Sequence, residues 1–321
     1  MKKCLVTGAA GFIGSHLSEQ LVDSGCEVIG IDRLTNYYSE KIKEANIEKL
    51  KESPLFTFYQ DNLLTIDLQS ILQGVDFVFH QAAQPRVRSS WGKNFDVYTQ
   101  NNILATQRLL EAVKGMSIRR FVFASSSSIY GDTEDLPMTE DSAPKPVSPY
   151  GVSKLAAEHL CYLYWKNFGV PVIALRYFTV FGPRQRPDMA FHKFIKAMSH
   201  SEEILIYGNG EQTRDFTFVD DVVEANIQLM GTNLESGDVF NIAGGSRVTI
   251  NEVIRILERI LNTKANVKYV QPQNDDVAHT YADTSKAMEH LGYKPQHKLE
   301  EGLEEEISWI RNLEAECCEK V

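Results

Sequence analysis

Tyr150 and Lys154 stand four residues apart in Ser148-Pro149-Tyr150-Gly151-Val152-Ser153-Lys154, directly behind a Ser-Pro pair of the kind that starts helices. On a helix that spacing puts a phenol and an ammonium on one face. An ammonium beside a phenol favours the phenolate. It lowers the tyrosine pKa toward neutrality and makes the side chain a usable general base and acid. A second cluster lies upstream, in Phe123-Ala124-Ser125-Ser126-Ser127-Ser128-Ile129-Tyr130-Gly131. Four hydroxyls end an apolar run there, with no carboxylate among them. The Tyr-x-x-x-Lys spacing also occurs at Tyr37/Lys41 and Tyr162/Lys166. Only Tyr150 follows a run ending in hydroxyls and opens a helix. Tyr162 reads as a core aromatic with a solvated lysine, and Tyr37 falls in a polar stretch.

These groups need elements to hold them. CLVT, EVIGID, LFTFY, DFVFH, RFVFAS and VPVIALRY read as strands. They are nearly continuous in apolar residues, as strands covered on both faces are. Helical patterns alternate with them. IGSHLSEQLVDSG stops at Gly25, and a second pattern from near Asn94 carries Phe95, Tyr98, Asn102, Thr106, Leu109 and Val113 on one side. The alternation predicts an α/β fold with a doubly wound parallel sheet. After about Tyr177 the rhythm loosens, with Pro183, Pro187, Gly208 and Gly210 as punctuation and helical patterns at 219–232, 250–262 and 299–315. This half reads as a smaller α+β part over the C-terminal edge of the sheet, where ligands of such sheets bind. The expected division is a cofactor domain from 1–178 plus roughly 215–240, and a substrate domain from 179–214 plus 241–321.

The first strand runs into Thr7-Gly8-Ala9-Ala10-Gly11-Phe12-Ile13-Gly14 and then a helix. Glycines at Gly8, Gly11 and Gly14 let the turn close tightly and let backbone N–H groups approach a pyrophosphate at the positive helix end. The spacing is GxxGxxG rather than GxGxxG, and a glycine triplet alone also suits a tight turn with close helix–strand packing. Asp32, at the end of the second strand, adds the group that accepts hydrogen bonds from an adenosine ribose and repels a 2′-phosphate. The pair points to NAD, while Arg33 leaves room for NADP. Asp61-Asn62 follows the third strand, where an adenine edge could be read or a turn simply closed. Ala82 and Ala83 end the fourth strand with small side chains that suit a backbone pressed against a cofactor. Phe12, Ile13, Ser125 and Tyr177 complete the candidate cofactor wall.

The bulk numbers exclude other classes. With 321 residues, 43% hydrophobic and 24% charged, the chain reads as globular. Its net charge of -10 argues against nucleic-acid and anionic-membrane surfaces. No apolar stretch reaches ~18 residues, so no membrane span is expected, and MKKCLVTGAAGFIGSHL reads as strand-turn-helix rather than a leader. Five cysteines without metal spacing suit reduced thiols in a cytosol, Cys317-Cys318 receives no role, and eight scattered histidines suggest no metal.

TGAAGFIGSHL, FASSSSIYG, SPYGVSK and RDFTFVDD, in this order, resemble the motifs of the extended short-chain dehydrogenase/reductase family across essentially the whole chain. The resemblance implies a Rossmann domain, a tightly held NAD and a nucleotide-sugar substrate. It implies that Ser126 is the catalytic hydroxyl beside Tyr150, that Lys154 also holds the nicotinamide ribose, and that Asn102 supports the cofactor side. In this family the tyrosine takes a proton from the sugar 4-OH as hydride leaves C4 for NAD. Family dehydratases carry Asp-Glu just after the catalytic hydroxyl, and UDP-glucuronate decarboxylases carry a glutamate at the position of Ser128. Here Ser127 and Ser128 stand in those places. With no acid in reach, the expected outcome is rotation of the 4-keto sugar and return of the hydride to its other face, a 4-epimerisation.

RYFTVFGPRQRPDMAF and Arg86-Val87-Arg88-Ser89-Ser90-Trp91 resemble bacterial UDP-glucuronate 4-epimerases. That resemblance implies that Thr179 and Arg186 face the sugar carboxylate, which a guanidinium can pair in a forked geometry. With the serines they would pin the carboxylate near the carbonyl plane, where its loss as carbon dioxide is slow. It further implies that Arg214, with Arg88, holds the diphosphate, and that Tyr207 lines the uracil with Phe191 and Lys193 in the same region. Pro272-Gln273-Asn274-Asp275-Asp276 departs from the family by lacking an arginine there. Alternatives are a UDP-glucose or UDP-N-acetylglucosamine 4-epimerase, a UDP-glucuronate decarboxylase, and a binding module that senses NAD. A homodimer is implied through helices near 94–114 and 150–168, with which Leu160, Leu163, Tyr164 and Phe168 are compatible.

Overall fold

The computed structural model describes residues 1–272 and 277–319, with side chains to residue 315. The Gln273–Asp276 departure and the Cys317-Cys318 side chains lie outside the described residues. Six strands fall where the apolar runs place them: β1 (Lys3–Thr7), β2 (Glu27–Asp32), β3 (Phe56–Gln60), β4 (Phe77–His80), β5 (Arg120–Ser126) and β6 (Val172–Tyr177). A seventh, Val239–Ile242, pairs in parallel with β6 and ends two residues past the expected boundary at 240. The sheet is parallel throughout, in the order Val239–Ile242, β6, β5, β4, β1, β2, β3. The order reverses between β1 and β4. Connections leave the sheet in opposite directions there, which opens a crevice at the carboxyl ends of the strands.

Alternation along each strand sends successive side chains to opposite faces. Val6, Phe79, Val122 and Leu175 pack with Leu17 and Leu21 of helix α1 (Phe12–Asp23) and with Val222 of helix Val219–Gln228. Leu5, Val78, Phe121 and Ala174 pack on the other face with Leu109 and Val113, and with Ala157 and Cys161 of helix Pro149–Phe168. Each large apolar side chain so enclosed contributes about 1.5–3 kcal/mol by leaving water. β3 departs from the expectation of burial on both faces. It is the sheet edge, and only Phe56 of its five residues is buried.

The helix expected from Asn94 runs over Phe95–Val113 and widens to a π-helical turn at Thr99–Leu104. Helices Val219–Gln228, Ile250–Leu261 and Leu299–Glu319 match the expected patterns. Glu40–Lys51 and Ala190–Ser199 are helices that the periodicity reading does not single out. Thr249 and Glu252 form a reciprocal cap on Ile250–Leu261. The second half builds on short strand pairs: Val180–Phe181 with Thr217–Phe218, Thr213–Asp215 with Arg247–Thr249, and Glu203–Tyr207 with Asn266–Val270. Among the described residues no helix is long and apolar enough to cross a membrane, and no group of three or more potential metal ligands gathers.

Candidate active site

The crevice begins at the turn between β1 and α1. Gly8 has φ +71°, a left-handed conformation that favours glycine. A Cβ on Gly14 would collide with the Gly8 carbonyl oxygen, so the helix can start this close to the strand only without a side chain. Gly11 caps the helix with its N-terminal N–H groups directed at the crevice mouth. Asp32 closes the far side. Its carboxylate accepts the Leu34 N–H at 2.8 Å and the Ala10 N–H at 3.2 Å. Burial pushes its pKa above the usual carboxylate range, opposed by these N–H groups and by Lys43.

One cavity gathers Gly8, Gly11, Phe12, Ile13 and Gly14 with Asp32, Arg33, Asp61 and Asn62. Its wall continues through Ala82, Ala83 and Ser125 to Tyr150, Lys154, Tyr177 and Arg186. Asn102 is not on this wall. It is buried and brackets Gln84, accepting its N–H at 2.6 Å and donating to its carbonyl at 3.0 Å, and it donates to the Ser153 hydroxyl at 2.9 Å. Its place is to brace the 84–85 loop, which does line the cavity, against the helix of Tyr150. Lys43, Tyr37, Tyr38 and Gln81 are wall residues that sequence reasoning missed. Lys43 is buried, donating to the Thr35 carbonyl at 2.5 Å, with no pattern in the sequence to mark it. Gln81 stands between His80, the last residue of β4, and Ala82, and donates to the Tyr177 hydroxyl at 3.1 Å and to Asn226 at 3.0 Å.

Ser148 caps the helix Pro149–Phe168 by accepting the Gly151 N–H at 3.1 Å, and Pro149 occupies its first turn. Tyr150 and Lys154 therefore rise on one face, as the spacing predicts. The expected pKa effect is different. Burial pushes the Tyr150 phenol above its ordinary value, and the groups that oppose this are the Ser126 hydroxyl and Arg186, not Lys154. The Lys154 ammonium lies 4.4 Å from the Phe123 ring centroid, and burial pulls its pKa down to about 8 against Cys161 and Glu158. Desolvation by the enclosing sheet outweighs the pair attraction that spacing alone suggests. His80 bridges Thr7 at 2.7 Å and Thr106 at 2.9 Å, and burial holds it neutral, with its pKa lowered to about 3.

The four serines divide their work. Ser125 donates to Glu158 at 2.5 Å, so its hydroxyl belongs to the core although the residue lines the cavity. Ser126 ends β5, and its hydroxyl accepts the Ser128 N–H at 3.2 Å. Ser127 and Ser128 line a second, narrower cleft with Arg88, Thr179 and Arg214. No carboxylate lines this cleft among the described residues. Arg88 stacks its guanidinium 4.1 Å from the Tyr207 ring, and Arg214 donates to the Thr213 carbonyl at 2.9 Å.

Two expected substrate residues lie differently. Phe191 is enclosed, its ring 4.5 Å from Phe216 and 5.4 Å from Phe181, so its side chain packs the core of the second half and reaches neither cleft. Lys193, exposed on the same helix, lines neither cleft. Arg186 joins Tyr150 in the wall of the first cavity, and Thr179 lines the second cleft with the serines.

The family model described as GDP-mannose 4,6 dehydratase matches residues 5–306. A Bacillus subtilis protein named as an uncharacterized UDP-glucose epimerase, YtcB, is 46% identical over 97% of this chain and 98% of its own. A UDP-glucuronate 4-epimerase of Thermodesulfobacterium geofontis is 38% identical, with 97% of each chain covered. The crystal structure of UDP-glucuronic acid 4-epimerase from Bacillus cereus, in complex with UDP-glucuronic acid and NAD, is similar with a TM-score of 0.95 and 45% identity. The likeness covers 97% of this chain and 99% of that one. With its glycine turn, parallel sheet and Tyr150/Lys154 helix, the chain belongs to this GDP-mannose 4,6 dehydratase family, within the extended short-chain dehydrogenases/reductases.

Proposed function

We propose that the protein is a UDP-glucuronate 4-epimerase, which interconverts UDP-glucuronate and UDP-galacturonate. One observation carries the reading: Arg186 stands in the wall beside Tyr150, while the adjoining serine cleft has no carboxylate among the described residues. A cationic fork next to the base suits an acid sugar, and the missing acid removes the means of eliminating water.

The residues present fit NAD. The Gly8–Gly14 cradle admits a backbone-held pyrophosphate, and Asp32 lies at the ribose end. When bound, NAD accepts a hydride from the sugar C4 and returns it. In this reading Tyr150 takes the 4-OH proton and later gives it back, with Ser126 steadying the phenolate. Lys154 supplies positive charge along the same wall. Ser127, Ser128 and Thr179 offer hydroxyls to the sugar, and Arg88 with Arg214 brings positive charge to the diphosphate. Rotation of the 4-keto sugar between the two hydride steps yields the epimer.

The first 178 residues and the 215–240 stretch carry the cofactor half, and 179–214 with 241–321 the substrate half. A homodimer is supported by the exposed apolar Leu104, Val152, Leu163 and Phe168 on the helices Phe95–Val113 and Pro149–Phe168. Of the other residues implied there, Leu160 is half-buried and Tyr164 buried. A cytoplasmic location fits the free thiols Cys4, Cys26 and Cys161.

The test is to incubate the purified protein with UDP-glucuronate, without added cofactor, and to follow products by proton NMR. Appearance of UDP-galacturonate supports the reading. A UDP-pentose product makes it a decarboxylase. No change, with turnover of UDP-glucose in a parallel tube, makes it a neutral-sugar epimerase.

A further inference from the structure

Arg186, Pro187, Asp188 and Met189 form a turn, closed by the Met189 N–H donating to the Arg186 carbonyl at 3.0 Å. Pro187 in the second position pre-sets the backbone for it. The turn brings the Arg186 guanidinium against the Asp188 carboxylate, with Nε to Oδ1 at 3.0 Å and Nη2 to Oδ2 at 3.3 Å. The Tyr37 hydroxyl donates to Asp188 Oδ2 at 3.1 Å from a distant part of the chain. Both partners are mostly shielded, at 19% and 16% side-chain exposure, so the pair is held more firmly than a surface pair.

A guanidinium has two forked edges, and Asp188 takes the Nε–Nη2 edge. The Nη1–Nη2 edge makes no hydrogen bond to protein among the described residues, and Arg186 is a wall residue of the cavity that contains Tyr150. An arginine held on one edge keeps its plane fixed and presents the other edge without further ordering cost. A substrate carboxylate met there would be bound in a second bidentate contact. Tyr37 lies in the stretch after β2, where Asp32, Thr35 and Tyr38 line the cofactor end of the cavity. The chain of contacts Tyr37–Asp188–Arg186 thus joins the cofactor loop to the sugar side.

We propose that Asp188, steadied by Tyr37, is the positioning residue that sets the plane of Arg186 and so gives the site its preference for an acidic over a neutral sugar. This rests on the uronate reading above. Burial alone would push the Asp188 carboxyl up, but Arg186, Tyr37 and Arg86 hold it below the usual range. It therefore stays an acceptor for Arg186 and Tyr37 across ordinary pH.

The experiment uses the NAD-loaded protein as purified, with UDP-glucuronate, UDP-glucose and UDP as probes. Calorimetry gives their affinities, and steady-state assays give KM and kcat separately. Asp188→Asn is expected to weaken UDP-glucuronate by about tenfold, mainly in KM, and to leave UDP and UDP-glucose within about twofold. Tyr37→Phe is expected to show the same selective loss at smaller size. In an Arg186→Gln background, adding Asp188→Asn is expected to cost nothing more, because its effect passes through Arg186. UDP binding shows that each variant is folded. Equal weakening of all three probes, no weakening, or full additivity with Arg186→Gln overturns the proposal while the epimerase reading stands. A wild-type protein that neither binds nor turns over UDP-glucuronate overturns both.

Discussion

Glu158 and Arg176 face each other across the seam between the helix of Tyr150 and strand β6, with Nη2 to Oε1 at 2.7 Å and Nε to Oε2 at 3.2 Å. Their side chains are only 9% and 7% exposed. Glu158 also accepts the Ser125 hydroxyl, and Arg176 donates to the Tyr130 hydroxyl at 2.8 Å and the Glu140 carbonyl at 3.0 Å. The pair locks the helix of Tyr150 to β6, and the Ser125 bond ties the same carboxylate to β5, the strand that ends in the serines. Two desolvated charges are tolerable here because their hydrogen-bonding groups are so widely engaged.

Removing one partner strands the other. Glu158→Ala is expected to lose about 3–5 kcal/mol of stability in urea denaturation, and Glu158→Gln less, because the amide keeps an acceptor. A loss below about 1 kcal/mol would rank the pair with solvent-exposed ones and remove its structural role.

Ser126 is the first of the groups that draw the buried Tyr150 phenol back down. Ser126→Ala is expected to cut turnover by about a hundredfold at neutral pH. The phenol pKa rises in the variant, so the acid limb of the pH–rate profile moves to higher pH. A lower rate with an unmoved limb would show that the hydroxyl does not act on the phenol.

Glu306 is enclosed, and its Oε2 accepts the Gly182 N–H at 2.9 Å. Burial pushes its pKa from 4.5 up to about 8, with that N–H opposing. Between those values the folded chain holds a proton that the unfolded chain has released. The contribution is therefore full below the unfolded value and is lost as pH rises through the folded one. Glu306→Gln has no proton to lose, so its stability relative to wild type should improve steadily as pH is raised across the window. Denaturation curves at several pH values check this, and a constant difference would mean that Glu306 is ionised in the fold throughout.

Leu163 and Phe168 are 49% and 55% exposed on the helix that also carries Tyr150. If that face is the dimer contact, Leu163→Asp with Phe168→Asp should give a monomer in sedimentation velocity where wild type gives a dimer. A dimer that survives the double change would move the interface elsewhere.

Much of the site could be read in the chain because its signals are local. The Ser148 cap, the helix start at Pro149 and the four-residue step to Lys154 need no tertiary information, nor do the glycine turn and the Asp32 that ends β2. The Arg186–Met189 turn is legible in the same way, since a proline in the second position favours it. Six of the seven sheet strands announce themselves as apolar runs, whereas Asn241 interrupts the short Val239–Ile242.

What the sequence by itself determined is thus the order of elements and the residue types brought to the sheet's carboxyl edge. Tertiary structure alone decided how those groups behave. Phe191 became core because Phe181 and Phe216 close around it, and Asn102 became a brace because the π-turn sets it against Gln84 and Ser153. Lys43 reached the cofactor wall from a helix with no marked pattern. Tyr150 came under Ser126 and Arg186 rather than Lys154. The reason is the same in each case. Burial and through-space charge depend on which distant segments enclose a side chain, and spacing along the chain carries no record of that enclosure.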